Sequence, residues 1–194
     1  MYEYISGVLS SKNANTAVVD VGGVGYRMLT TQNSLAACHV GENAIFYTHL
    51  HVREDIFDLY GFVTVEERAA FEMLLGISGV GPKAALSVLS CMTPSELALA
   101  IVCGDSKAIT KANGIGVKVA SRIVLELKDK ISSEMAAMPE SEAKSIFAEH
   151  TAASDAEAAL MVLGYSADAA GRAVKSVGGE TTEDIIKNAL AIMK

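Results

Sequence analysis

Two short segments in the middle of the chain repeat the same residue types at the same spacing. Residues 77–83 are ISGVGPK and residues 112–118 are ANGIGVK, an offset of 35 positions. In each copy two glycines flank one aliphatic residue, and a lysine follows two positions after the second glycine. Glycines and a lysine in this order are typical of segments that hold phosphate groups through main-chain N–H groups and an ammonium group.

The glycines give the repeat a physical interpretation. Glycine tolerates positive φ, so the pair lets the chain reverse tightly between two helices and leaves no side chain between backbone and ligand. The first N–H groups of the next helix, reinforced by its dipole, then form an anion site, and Pro82 suits the first helical position. Val80 and Ile115 are expected to point into the core. Ordinary glycine-terminated helices are the alternative, but they give no reason for a lysine at the same place in both copies.

The charge is distributed so that the repeat lies in the most basic part of the chain. The net charge of −7 is unusual for a DNA-binding protein, which normally presents a basic face to phosphates. Residues 76–122, however, contain five Lys or Arg and only two Asp or Glu. With no Trp and 6% aromatic residues, base stacking is disfavoured as the main way of holding a nucleic acid. Contact with the nucleic-acid backbone is favoured instead.

The elements that must position the repeat begin with a β-rich segment, residues 1–64. Short runs of β-branched and aromatic residues alternate with turn residues such as Gly22-Gly23. Five short strands indicate a small OB-like β-barrel, although the pattern alone does not exclude a sandwich. The predicted strands are Ile5–Ser10, Thr16–Val21, Tyr26–Thr30, Ala44–Val52 and Ile56–Phe62.

From residue 65 onward the apolar spacing is that of helices. Residues 65–131 are predicted to form an all-α domain, residues 132–153 a flexible linker without a sustained apolar face, and residues 154–194 a three-helix bundle. A capping box of Ser154 and Glu157 is expected to open the bundle's first helix. The fold class is therefore multi-domain α+β. The helices predicted before the linker are Glu66–Leu75, Pro82–Ser90, Ser95–Cys103, Ser106–Lys111 and Lys118–Ile131.

Other candidate chemistry in the sequence is weaker. Residues 22–25 (GGVG) resemble a phosphate loop, but no helix follows, so a hairpin turn is predicted. His49 and His51 share one strand face near two aspartates, a pattern that is common on exposed strands, so no metal site is predicted. The sequence has no GxxxxGK[ST] motif and therefore no basis for ATP hydrolysis. We predict no catalytic residue and no cofactor. The lack of an export signal and of a long apolar run predicts a cytoplasmic protein that does not enter the membrane.

The doubled motif resembles the helix-hairpin-helix family, and the order of β-rich segment, helices, linker and bundle resembles the bacterial RuvA family over essentially the whole chain. The resemblance implies that the hairpins contact both backbones of a duplex across the minor groove without reading sequence. It also implies a DNA-binding role for nine residues by motif position: Ser78, Gly79, Gly81, Lys83, Asn113, Gly114, Gly116, Lys118 and Arg122.

The resemblance further implies a non-catalytic subunit that holds a four-way Holliday junction open during recombination and DNA repair. Glu54 and Asp55 would form an acidic pin at the junction centre, repelling strands from the crossover. The implied assembly is a homotetramer, or two tetramers paired as an octamer. The implied partners are the AAA+ motor RuvB, which drives branch migration, and the junction resolvase RuvC. The motor would bind the C-terminal bundle, for which we name Leu160, Leu163, Tyr165, Ile186 and Leu190 as contact residues.

Two other functions stay open at this point. The first is a DNA-repair enzyme, a nuclease or glycosylase, in which the hairpins only position a catalytic centre; Glu126 and Asp129 are candidate acids, although solvated charges are the default for such positions. The second is a general duplex-binding scaffold. Strand cleavage or base release in the presence of Mg²⁺ would support the enzyme, and equal affinity for duplex and junction would support the scaffold.

Overall fold

The computed structural model describes residues 2–137, 152–179 and 181–193. The chain divides into two compact units: Met1–Thr93 with Ala112–Gly114, and Pro94–Lys111 with Ile115–Lys194. Among the described residues, no single helix is long and apolar enough to cross a bilayer, and only the consecutive helices Pro82–Cys91 and Pro94–Val102 pass that test, as a bent pair.

The N-terminal segment is a closed five-stranded barrel, which confirms the predicted OB-like fold and rules out the sandwich. The strands are β1 (Tyr4–Lys12), β2 (Thr16–Val21), β3 (Val24–Leu29), β4 (Asn43–Arg53) and β5 (Ile56–Phe62). Their order around the barrel is β1-β2-β3-β5-β4, and every pairing is antiparallel except the β3–β5 pair that closes it. Inward positions alternate along the strands, so that side chains such as Leu9, Val19, Met28, Phe46 and Phe62 are fully buried.

Residues 22–25 form the predicted hairpin turn. Gly22 and Gly23 have φ of 63° and 91°, which suits the two-residue turns whose twist matches that of paired strands. The Gly23 N–H donates to Asp20 Oδ1 at 2.9 Å. The glycines therefore serve the turn between β2 and β3.

A short helix, α1 (Gln32–Ala36), follows β3 and was not predicted. Five residues are too few to show helical periodicity, so only its caps could have indicated it. Thr31 caps its first turn by accepting from the Ser34 N–H at 3.0 Å. At the other end, Lys12 Nζ donates to the carbonyls of Leu35 and Cys38, both at 2.7 Å, and so ties the helix to β1.

The helical segment that carries the repeat matches the prediction apart from its ends. It contains α2 (Val65–Leu75), α3 (Pro82–Cys91), α4 (Pro94–Val102), α5 (Ser106–Ile109) and α6 (Val117–Ala137). Helix α6 continues six residues past the predicted end at residue 131 into the predicted linker. Residues 132–137 (SSEMAA) lack an apolar face, but Glu, Met and Ala have high intrinsic helix propensity. Residues 138–151 of the predicted linker lie outside the described residues.

The C-terminal segment forms the predicted three helices, α7 (Ala152–Val162), α8 (Ala167–Ser176) and α9 (Thr182–Ile192). The predicted capping box is wrong, because α7 begins at Ala152 and Ser154 lies inside it; the alanines at positions 152 and 153 already favour helix. Ser166 caps α8 and Thr181 caps α9, each by accepting a main-chain N–H of the first turn.

Candidate nucleic-acid interface

The first copy of the repeat is a tight hairpin between α2 and α3. Gly79 has φ of 87°, in the left-handed region that favours glycine. Ile77 and Val80 are buried, and the Val80 N–H donates to the Ile77 carbonyl at 3.0 Å, which closes the turn. Gly81 is the N-cap of α3 and has no side-chain cap, and Pro82 occupies the first turn of the helix. The glycine conformation and the inward aliphatic residue are as predicted.

The second copy, between α5 and α6, has the same glycine conformation and the same buried positions. Gly114 has φ of 81°, and Ala112 and Ile115 are buried like their counterparts in the first copy. Helix α3 also stabilises this turn, because Ser87 Oγ donates a hydrogen bond to the Asn113 carbonyl at 2.8 Å. In both copies, therefore, a glycine adopts a positive φ at the turn and the aliphatic residue that follows it is buried.

Each hairpin leaves main-chain N–H groups without a carbonyl acceptor at the start of the following helix. In α3 the Ala85 N–H donates to Gly81 O at 3.0 Å, and in α6 the Ala120 N–H donates to Gly116 O at 3.0 Å. For several N–H groups that precede Ala85 and Ala120 in the chain, no main-chain carbonyl of the described residues accepts a hydrogen bond. They include those of Gly79, Gly81, Lys83 and Ala84 in the first hairpin and those of Gly114, Ile115, Gly116, Val117, Lys118 and Val119 in the second.

The space beside these amides is open. A Cβ placed on Gly81, Gly114 or Gly116 would meet no atom within 4 Å. Lys83 and Lys118 are exposed next to them. An anion can therefore approach the main chain of each hairpin directly and meet an ammonium group from the first turn of the helix.

Arg122 lies one turn further along α6 than Lys118. Its Nε is 3.8 Å from Glu126 Oε1, and the two side chains are 50% and 41% exposed. An ion pair this exposed contributes little to stability. Glu126, a candidate acid of the enzyme hypothesis, is thereby placed in a surface ion pair.

Sequence reasoning missed Ser87 as a residue that shapes the interface. The repeat itself carried the signal, because the 35-residue offset that relates the two copies also relates Ser87 to Arg122, which was predicted. Aligning the copies four positions past the lysine places Ser87 opposite Arg122.

The predicted pin residues form the turn between β4 and β5. Arg53 pairs with Ile56 in the strand register, which leaves Glu54 and Asp55 as a two-residue turn. Both are exposed, and within the described part of the chain neither forms an ion pair. The barrel therefore projects two uncompensated carboxylates at one tip. Their action on DNA stays a prediction.

The two histidines of β4 lie next to different residues. His49 Nδ1 lies 3.1 Å from Glu72 Oε1 of α2, and its ring packs edge-on against Phe71 at 5.5 Å between centroids. His51 faces Asp58 across the β4–β5 pair. In the described ranges, no group of three or more His, Cys, Asp or Glu side chains could hold a metal ion.

A buried carboxylate fixes α2, the helix that leads into the first hairpin, to α1 of the barrel. Glu67 is 3% exposed, and it accepts hydrogen bonds from the hydroxyls of Thr31 and Ser34. Burial raises the pKa of Glu67, and these two hydrogen bonds act in the opposite direction. The entry to the hairpin is therefore anchored by an acid in a poorly solvated site.

The five residues predicted to contact a motor lie inside the C-terminal bundle. Leu160, Leu163, Tyr165, Ile186 and Leu190 are all at most 8% exposed and belong to one apolar cluster with residues of α8 and with Ala98 of α4. In this fold they offer no surface to a partner. Helical apolar spacing identified the core of the bundle, because a core stripe and a docking stripe have the same period.

Comparison with known proteins gives matches along the whole chain. Residues 1–61 match the RuvA N terminal domain, residues 71–129 the SAM-like Helix-hairpin-helix tandem, and residues 151–194 the RuvA, C-terminal domain. The chain is 47% identical to the Holliday junction branch migration complex subunit RuvA of Acetivibrio thermocellus, with 98% of this chain and 97% of that protein covered. The identically named proteins of Ruminiclostridium cellulolyticum and Clostridium botulinum strain Hall are 44% and 42% identical, each with 98% of both chains covered.

Proposed function

The chain belongs to the RuvA family, and on that basis we propose that it is the DNA-binding subunit of a Holliday junction branch-migration complex. It binds the four-way junction through the backbones of its arms, holds it open, and contributes no catalytic step of its own. Ser78, Asn113 and the residues with open amides would touch the strands, with Lys83, Lys118 and Arg122 as counter-charges.

One observation supports this proposal most directly: two hairpins with the same glycine conformation each combine open helix-start amides with an exposed lysine. Main-chain donors recognise phosphates regardless of base, so such a protein binds by backbone shape and not by sequence. Two equivalent hairpins in one chain also match the two strands of a duplex. In the described residues no group of three or more His, Cys, Asp or Glu side chains could hold a metal ion, and Glu126 is paired with Arg122.

The proposed assembly is a homotetramer, able to pair into an octamer, that places one subunit on each junction arm. In such a ring the Glu54–Asp55 turns of four barrels would meet near the crossover and repel strands that approach it. We propose that residues 154–194 recruit the AAA+ motor RuvB through the exposed face of the bundle, since the five apolar residues named above are buried in its core. The resolvase RuvC would bind the same junction after migration.

Gel-shift titration of a four-way junction against linear duplex of equal length tests the proposal. The expected result is tighter binding of the junction, with little dependence on its sequence. Equal affinity for the two DNAs would remove the junction claim and support the scaffold alternative. Adding Mg²⁺ to the same reactions tests the enzyme alternative, because strand cleavage or base release would contradict a non-catalytic subunit.

A further inference from the structure

A groove of about 240 Å³ lies beside the first hairpin, on the barrel side. Its walls come from two neighbouring strands and from the start of a helix. Strands β4 and β5 supply His51, Arg53, Asp58 and Tyr60, and the first hairpin supplies Gly81, Pro82 and Lys83. All of these residues belong to the same compact unit. Only the three hairpin residues belong to the motif, so the barrel adds a wall that the motif does not explain.

The charge of the groove favours an anion. The barrel contributes Arg53 to the lining and the hairpin contributes Lys83, and Asp58 is the one acidic residue of the lining. Asp58 is opposed by His51 in the strand register and interacts with the Tyr60 phenol. Burial, the charge of Asp58 and its hydrogen bond together raise the pKa of Tyr60 to about 12, so the phenol stays neutral at physiological pH. Even with His51 uncharged, the lining carries two cations, Arg53 and Lys83, and one carboxylate, that of Asp58.

The shape and polarity of the groove favour a particular anion. The lining also contains the Pro82 ring, which is partly exposed, and Tyr60, which is 2% exposed. A free inorganic anion gains nothing from an apolar side chain, whereas a deoxyribose ring can pack on Pro82 while its phosphate meets the cations. The combination therefore matches one sugar-phosphate unit of a nucleic-acid strand.

We propose that this groove binds a sugar-phosphate unit of the DNA, with Arg53 of the barrel and Lys83 of the hairpin sharing its phosphate. The inference rests on the proposed function and adds a residue outside the helix-hairpin-helix motif. Arg53 immediately precedes Glu54 and Asp55 in the sequence. The contact would therefore place a DNA strand at a fixed distance from the acidic turn. The guanidinium of Arg53, which attracts the phosphate, would lie directly beside the two carboxylates, which repel it.

Replacing Arg53 by Gln tests the groove, and Arg27→Gln provides the matched control. Both arginines are exposed on barrel strands, and only Arg53 lines the groove. Junction affinity is measured by fluorescence anisotropy at several salt concentrations, with thermal unfolding to verify the fold. Arg53→Gln is expected to weaken binding about fivefold and to reduce the salt slope by ~0.9, one phosphate's worth, relative to Arg27→Gln.

Neutralising single phosphates in the junction identifies the contacted strand position. A methylphosphonate at the contacted position should weaken binding of the unmodified protein but have a smaller effect on Arg53→Gln and on Lys83→Gln, because the interaction is already lost. If Arg53→Gln binds like Arg27→Gln, or if no position couples to Arg53, the groove does not bind the backbone. That result leaves the proposed function intact, whereas failure of the unmodified protein to prefer a junction overturns the proposed function itself.

Discussion

The two glycines of a hairpin meet different physical requirements. Gly79 has φ of 87°, where a side chain costs about 1–2 kcal/mol. Gly81 has φ of −90° and ψ of 173°, which any residue adopts, and a Cβ there would meet no atom within 4 Å. The fold therefore requires glycine at position 79 but not at position 81. At Gly81 the missing side chain leaves room for a ligand to reach the amides.

Alanine substitutions separate these two roles. Gly79→Ala is expected to lower the free energy of unfolding by about 1–2 kcal/mol. Gly81→Ala should lower it by less than about 1 kcal/mol, since alanine is only a poorer N-cap, yet it should weaken DNA binding by placing a methyl group beside the amides. Chemical denaturation and anisotropy titration measure the two effects. Wild-type affinity in Gly81→Ala would show that no strand approaches this main chain closely.

At the residue scale, the sequence predicted the conformation of the hairpins but did not distinguish the core of the bundle from a docking face, for a single reason. Glycine and lysine at fixed spacing have few alternative uses, so their pattern defines the conformation of Gly79 and Gly114 and the exposure of the lysines. Apolar residues at helical spacing serve a core or a docking face equally well. The pattern therefore could not tell that residues such as Leu160 and Leu190 are buried.

At the scale of elements, the contact between α1 and α2 depends on Glu67. Its carboxylate is buried and bonded to two hydroxyls, and burial raises its pKa above the ordinary value of 4.5. The folded state therefore holds this proton more tightly than the unfolded chain does. The free energy of unfolding consequently falls as pH rises from about 4.5 through the raised pKa.

Glu67→Gln is expected to remove this pH dependence. Glutamine is neutral at every pH and keeps one acceptor for the hydroxyls of Thr31 and Ser34. The variant should match the parent near pH 4 and become increasingly more stable than the parent as pH rises, because only the parent must bury a charge. Chemical denaturation of both proteins between pH 4 and pH 8 gives this difference. A gap that stays constant, or that favours the parent at high pH, would contradict the account.

The elements themselves were predictable where their periodicity was long enough. All five strands and the four helices from α2 to α5 appear within a few residues of their predicted limits, and α6 begins within one residue of its predicted start. Helix α1 is too short to show a period, and the end of α6 depends on helix propensity where the apolar pattern stops. Closure of the barrel by the parallel pairing of Leu29 with Tyr60 joins residues far apart in sequence, and local patterns carry no information on such pairings.

At the scale of the whole molecule, the C-terminal bundle is not packed as an isolated domain. Within its compact unit, Ala98 of α4 belongs to the bundle's apolar cluster, and Leu99 and Val102 pack against that cluster. Ser95 Oγ of α4 lies 2.5 Å from the Tyr165 hydroxyl, a buried hydrogen bond. A bundle of about forty residues is near the lower limit for independent folding. Helix α4 therefore supplies part of the apolar surface that the bundle needs.

A chain that ends at Ala137 tests how far the two proposed functions of the molecule, junction binding and motor recruitment, separate. It should bind the junction within about threefold of the full chain, since both hairpins are kept, and lose all stimulation of the RuvB ATPase. Its free energy of unfolding should fall by about 1–3 kcal/mol as the apolar face of α4 meets water.

Ser95→Ala in the full chain is the control: losing one buried hydrogen bond costs about 1 kcal/mol but keeps the bundle, so motor stimulation should persist. If the truncated chain is folded by circular dichroism but no longer binds the junction, the bundle contains DNA-binding residues. The assignment of DNA binding to the hairpins alone would then be wrong.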